Sequence, residues 1–232
     1  MQFHKKIVSG LFGTMLGVAI LGNTVNAEDN YEELFKQDQE LIEYLDANTE
    51  KMIEEDKHYV EQYLKEKQID PKGIVTFSTT SNLGSIGDIL VDTTVNSGSI
   101  AFTGHAAIVA YSDHRKTVES FAKSFSPIDK DGVQFYNNTW KNKSKAYLLG
   151  VKNAKATQYG TAAKYAEQQI GKPYNWVFTN KSTTNSFYCS QLVWKSWLDA
   201  GINVETGSVP NAVISPADLV NSSNTFLISR NP

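Results

Sequence analysis

The sequence predicts an α+β domain in which an antiparallel sheet carries helices packed to one side. Two observations lead there. From Pro71 onward the chain is built of short runs rich in Val, Ile, Thr and aromatic residues. Two longer helical stretches, each closed by a glycine, interrupt those runs. The composition agrees: 232 residues, 41% apolar and 20% charged, suffice for one sizeable core and exclude a disordered, collagen-like or disulfide-stapled chain. A net charge of −3 excludes a polycation built for nucleic acid. The single cysteine, Cys189, excludes an internal disulfide and a zinc site with two or more thiolates.

Residues 1–27 have the pattern of a signal peptide. His4-Lys5-Lys6 gives a positive start, Ile7–Leu21 is an apolar run, and Val25-Asn26-Ala27 offers small side chains for cleavage. The run is short for a membrane span, which takes about 20 apolar residues. A retained anchor is the alternative. No later stretch is apolar enough to span a bilayer, so the expectation is an exported chain, secreted or associated with the cell wall.

Residues 28–70 hold 15 acids and 5 bases, net −10, whereas residues 71–232 hold 10 acids and 15 bases, net +5. Opposite signs suggest two modules in contact. Leu34, Phe35, Leu41, Ile42, Leu45, Met52, Ile53, Tyr59, Val60, Tyr63 and Leu64 recur near a seven-residue spacing, with no Gly or Pro before Pro71. This acidic arm is expected to be helical. Asp46-Ala47-Asn48-Thr49 would break it into a hairpin, or the helix runs through unbroken. It carries no candidate catalytic residue, and the expectation is an arm laid on the body and dispensable for the chemistry.

Within the body, residues 71–232, strands are expected at Gly87–Val91, His105–Tyr111, Thr117–Phe121, Ala146–Val151 and Thr225–Ile228. Ser112–Arg115 is a turn. Ala156–Ile170 is a helix closed by Gly171 and stopped by Pro173, and Ser190–Ala200 is a helix closed by Gly201. Ser215-Pro216 opens a short third helix, with Ser as cap and Pro at its first position.

Cys189 stands where a nucleophile belongs. A thiol at a helix N-terminus meets free N–H groups and the positive end of the dipole, and both favour thiolate. The bland alternative is a small buried hydrophobe. The flanking residues sharpen the choice. Gly171-Lys172-Pro173-Tyr174, Tyr188-Cys189-Ser190-Gln191-Leu192 and Gly201-Ile202 resemble the NlpC-type cell-wall peptidase signature. One feature departs from it, because no histidine follows the cysteine. Upstream, however, lie Gly87-Asp88-Ile89-Leu90-Val91, Gly104-His105-Ala106-Ala107-Ile108-Val109 and Val118-Glu119-Ser120, and Ser215-Pro216-Ala217-Asp218-Leu219 lies near the end. In this order the motifs resemble the circularly permuted papain-like amidases of the YaeF/YiiX type, distantly similar to lecithin:retinol acyltransferase. The resemblance covers Gly84–Leu219 and leaves the acidic arm unmatched.

The resemblance implies a papain-like fold and assigns His105 as the base that takes the Cys189 proton and later protonates the leaving group. It makes Glu119 the residue that orients the imidazole. A solvated strand carboxylate is the alternative for Glu119, and the strand register decides. A four-residue loop pairing Tyr111 with Lys116 turns Glu119 away from His105, whereas a three-residue loop or one bulge turns it towards His105. The resemblance also suggests that the Tyr174 phenol helps bind the carbonyl oxygen beside the Cys189 N–H, with simple packing as its rival. His58 and His114 are expected at the surface. Trp176, Phe178, Trp194 and Trp197 are expected to be core, and Asp129-Lys130-Asp131-Gly132 a turn. No cofactor or metal is expected.

These expectations add up to an exported thiol hydrolase, an amidase or endopeptidase acting on amide bonds of cell-wall peptide. The positive body would favour an anionic polymer. A lipid acyl hydrolase or acyltransferase of the same fold is the alternative, and a catalytically silent wall-binding module is a third that the intact Cys, His and Glu set disfavours. Nothing in the sequence sets the oligomeric state.

Overall fold

A computed structural model describes residues 27–68, 83–94, 104–205 and 213–231. The expected signal segment, apart from Ala27, and the expected boundary at Pro71 lie outside the described residues. The first element is a single helix, α1, Ala27–Lys67. It runs unbroken through the Asp46–Thr49 stretch, where two of the polar side chains bond back along the helix. Asn48 Nδ2 and Thr49 Oγ1 each donate back to the carbonyl four residues earlier, at 2.8 Å. Asp46 is turned outward onto the body, where Lys145, Tyr147 and Arg230 hold its carboxylate.

Six antiparallel strands follow: β1 (Ile89–Asp92), β2 (His105–Val109), β3 (Lys116–Phe121), β4 (Gly132–Asn137), β5 (Ala146–Val151) and β6 (Thr225–Arg230). They lie in one sheet in the order β4-β3-β2-β1-β5-β6. β1, β2 and β5 are buried along their whole length, so both faces of the sheet's centre are covered. That explains their unbroken apolar runs. Three helices complete the domain: α2 (Ala156–Gln168), α3 (Cys189–Asp199) and α4 (Pro216–Val220). α2 and α3 pack on each other and on β2 and β3, while α1 runs along β6 and reaches α4.

β4 is a strand that sequence reading passed over. Its Val133 and Tyr136 are buried but Phe135 is exposed, so this edge strand lacks the continuous apolar run that marks the central ones.

The helix α1 is part of the wall of the core. Ile42, Leu45, Tyr63 and Leu64 are buried in the main cluster. Tyr63 donates to Asp88 Oδ2 at 2.6 Å, Lys67 to the Ile86 carbonyl at 2.6 Å, and Asp56 accepts the Leu227 N–H of β6 at 2.8 Å. The Gly-Asp-Ile aspartate thus ties α1 to the start of β1. The packing is that of an arm laid on the body and shared with its core, so its removal is expected to cost stability. Leu45→Ala is expected to cost about 2–5 kcal/mol in urea denaturation, whereas Glu50→Ala on the exposed face is expected to stay within about 0.5 kcal/mol.

Candidate active site

Cys189 is the first residue of α3, with Tyr188 as the extended cap residue. Gln191, three residues on, reaches back so that its Oε1 accepts the Tyr188 N–H at 3.1 Å. The same oxygen accepts from Asn175 Nδ2 at 2.9 Å, and Gln191 Nε2 donates to the Lys181 and Thr183 carbonyls. Ser190 Oγ donates to the Ile214 carbonyl at 2.7 Å, just ahead of the Ser215 cap of α4. The helix start is therefore fixed by side chains on either side of the cysteine. Leu192, Val193 and Trp197 bury the apolar stripe beneath it.

This packing sets the thiol against the beginning of β2, where the Ala106 N–H is near enough to favour the thiolate. Gly104 lets the start of β2 lie close against the end of β1. Its φ is +99°, and a Cβ there would lie 2.2 Å from the Asp92 carbonyl oxygen of β1. His105, the next residue, is fully buried.

The β2–β3 register answers the question left open for Glu119. Ile108 pairs with Val118 and Val109 with Thr117, and the Ala110 N–H donates to Lys116 at 3.0 Å. The loop is therefore Tyr111–Arg115, two residues longer than the three-residue case and of the same parity. Continued inward, this register sets Ala107 opposite Glu119, on the His105 side of the sheet. His105 Nε2 lies 2.7 Å from Glu119 Oε2. Glu119 Oε1 accepts from Thr117 Oγ1 and, at 3.0 Å, from Trp140 Nε1. The imidazole is stacked on Phe121, with centroids 4.0 Å apart, and lies nearly parallel to Trp140 at 5.9 Å.

The other ring nitrogen, Nδ1, is buried without a hydrogen-bond partner of regular geometry among the described residues. The group that the ring meets is the Cys189 thiol, close enough for each to shift the other's ionisation. Burial pushes the His105 pKa down, but the bonds to Cys189 and Glu119 outweigh it and bring it up to about 9. Burial pushes the Cys189 thiol up, and the imidazole, with the Ala106 N–H, more than reverses this, leaving it below its ordinary value. Glu119 is likewise held below the usual carboxylate range, burial being outweighed by His105, Thr117 and Trp140. The set favours thiolate, imidazolium and carboxylate together. In the neutral ring Nε2–H donates to Glu119, which leaves the Nδ1 lone pair for the thiol proton.

Tyr174 is brought to the segment just before the cysteine. Tyr174 and Phe187 form a parallel bridge, and Phe187 N and Asn175 N complete it at 3.1 Å each. Asp131 Oδ2 accepts the Tyr174 N–H at 3.0 Å. Gly132 lets β4 approach this turn, since a Cβ there would lie 1.9 Å from the Lys172 carbonyl oxygen. Tyr174 joins Phe178, Tyr188, Val213 and Ala122 in a small apolar cluster against which Leu34 of α1 packs.

His58 and His114 are exposed. Phe178, Trp194 and Trp197 are buried as expected, but Trp176 is 37% exposed. Sequence reasoning missed Thr117, Trp140, Asn175 and Gln191. Only Gln191 left a signal, at the third position of a helix whose cap lacks a short polar side chain.

The chain matches, over residues 71–221, the profile of a family described as permuted papain-like amidase enzyme, YaeF/YiiX, C92 family. It is 26% identical over 132 residues to the uncharacterized protein YycO of Bacillus subtilis (strain 168), covering 55% of this chain and 50% of that protein. The chain thus spans about half the length of the curated relative it matches. The crystal structure of metalloprotein yiiX from Escherichia coli O157:H7 aligns with a TM-score of 0.47 at 17% identity, over 64% of this chain and 98% of that one. Among the described residues of this chain, no three His, Cys, Asp or Glu side chains form a group able to hold a metal ion.

Iodoacetamide alkylation of the folded protein, followed against pH, is expected to show a Cys189 inflection well below the ~8.5 of a free thiol. His105→Ala is expected to move that inflection up, and His114→Ala to leave it in place. An inert thiol, or a profile indifferent to His105, contradicts the pairing.

Proposed function

The chain belongs to the permuted papain-like amidases of the YaeF/YiiX type, and on that premise we propose that it hydrolyses amide bonds with Cys189 as nucleophile, His105 as acid–base and Glu119 as orienter. The observation that carries the proposal is the buried chain of contacts from the Cys189 thiol through the imidazole to Glu119, closed by the 2.7 Å bond at Nε2.

In the reaction so assigned, the Cys189 thiolate attacks the carbonyl carbon and forms the C–S bond. The oxyanion is met by the Cys189 backbone N–H at the start of α3 and by the Tyr174 phenol. The His105 imidazolium delivers its proton to the departing amine as the C–N bond breaks. Water then gives a proton to the neutral imidazole as its oxygen attacks the thioester, and the acid and the thiolate separate. Glu119 stays ionised throughout and keeps Nε2–H pointed at itself.

The substrate proposed is the peptide of a cell wall, with the chain acting outside the cell after removal of residues 1–27. Two features support this: the sequence pattern of that segment and the net +5 of residues 71–232. Among the described residues, no helix is long and apolar enough to cross a membrane. A second reading, hydrolysis of a lipid acyl ester or amide, draws on the apolar cluster of Tyr174, Phe178, Tyr188, Val213 and Ala122, which includes the cap residue of α3.

Incubation with purified peptidoglycan and, separately, with acyl-ester reporters, followed by mass analysis, distinguishes the two. New amino and carboxyl ends in the peptide support the first reading, and acyl release alone supports the second. Cys189→Ala is expected to abolish either activity. Glu119→Gln is expected to lower kcat/KM about tenfold or more, with the thiol still present by titration. Activity is expected to rise as the thiolate forms and to fall as His105 loses its proton, near pH 9. A rate that keeps rising through that pH removes His105 from the acid role.

A further inference from the structure

We propose that Trp140 is a positioning residue for the thiol–imidazole pair, acting through Glu119 and through the imidazole face. The proposal rests on the Cys–His–Glu reading above and goes one residue beyond it. Trp140 opens a short 3₁₀ turn after β4 and is almost fully buried. Its carbonyl accepts from Asn231 Nδ2 at 3.1 Å, and the Lys143 ammonium lies 4.9 Å from its ring centroid. The indole is thus anchored independently of Glu119.

Two features of this geometry go beyond packing. First, the indole Nε1–H can only donate, and it points at Glu119 Oε1 from 3.0 Å, beside the Thr117 hydroxyl. A proton placed on Oε1 would meet a donor that cannot turn round. Oε1 is therefore held as an acceptor, and its two donors favour the carboxylate over the acid, which keeps on the imidazole the proton shared at Oε2. Second, the His105 ring lies 5.9 Å from Trp140 at an interplanar angle of 19° and 4.0 Å from Phe121 at 25°. Aromatic faces beside a flat ring favour its cationic form.

The other ionisable groups around His105 are few. Cys189 faces it from α3 and Glu119 from β3. Asp92 pairs with it across β1, and its carboxylate is 3.2 Å from Lys143. Tyr136 of β4 packs on Phe121 behind it, its phenol pushed up by burial. Of the donors to Glu119 Oε1, Trp140 is the one that also lies along the imidazole.

The test compares wild type, Trp140→Phe, Glu119→Gln and His105→Ala by NMR titration of the His105 ring and by iodoacetamide alkylation against pH. Trp140→Phe retains an aromatic ring and removes the donor. It is expected to lower the His105 titration by about one unit and to raise the Cys189 inflection similarly, about a tenfold loss of thiolate at fixed pH below the inflection. A purely structural role would lower the melting temperature and leave both inflections in place. Inflections that stay at their wild-type positions in Trp140→Phe while Glu119→Gln moves them overturn the proposal and spare the triad. A wild-type thiol indifferent to His105→Ala overturns the triad and this proposal with it. If Trp140→Phe does not fold, the wild-type indole resonance decides. The Trp140 Nε1–H signal is expected to shift along the His105 titration curve, and a signal that ignores that titration overturns the proposal.

Discussion

A buried imidazole set between a thiol and a carboxylate is the constraint on which the rest of the candidate site depends. His105 and Glu119 are all but shut off from solvent, and Cys189 is only 2% exposed. Isolated charges at that depth would cost several kcal/mol each and would neutralise instead. They are tolerated because each has partners. Glu119 accepts from three donors, the sulfur has the Ala106 N–H and the imidazole, and the imidazole lies between thiol and carboxylate. Removing one partner leaves the others short of compensation, so the members are expected to act as a unit.

The parity of one loop makes that arrangement available. Tyr111–Arg115 adopts a length that turns Glu119 to the His105 side. A loop one residue shorter or longer, without a compensating bulge, would send every β3 side chain to the other face. Phe121 would leave the imidazole in the same move, since it shares that face with Glu119. The loop is at the surface and carries none of the chemistry, yet its length decides whether the histidine has a partner.

The other half of the site is assembled by elements that converge on the start of α3. Gln191 links the cap of that helix to the Asn175 turn, Ser190 links it to the Ile214 carbonyl just before α4, and Asp131 pins Tyr174 from the β3–β4 side. α1 enters the same region through Leu34, having been fixed farther along by Asp46, Asp56, Tyr63 and Lys67. Charge brings the acidic helix to the positive body, but the buried Leu45 and Tyr63 make it part of one core.

The sequence by itself determined the elements whose cause is local. Apolar runs made β1, β2 and β5 legible, glycine and proline punctuation bounded α2 and α3, and the position of Cys189 at a helix start followed from the pattern around it. The order of the motifs pointed to the permuted family and to His105. What the tertiary structure alone decided depends on residues far apart in the chain. The edge strand β4 has too little apolar periodicity to declare itself. The Asp46–Thr49 stretch could turn or continue, and its packing against Lys145, Tyr147 and Arg230 accompanies the continuous helix. Trp140 and Thr117 look like ordinary core and strand residues until the register of β3 places the Glu119 carboxylate between them and His105. A donor is recognisable in sequence, but its acceptor is known only once two strands and a turn have been set in register.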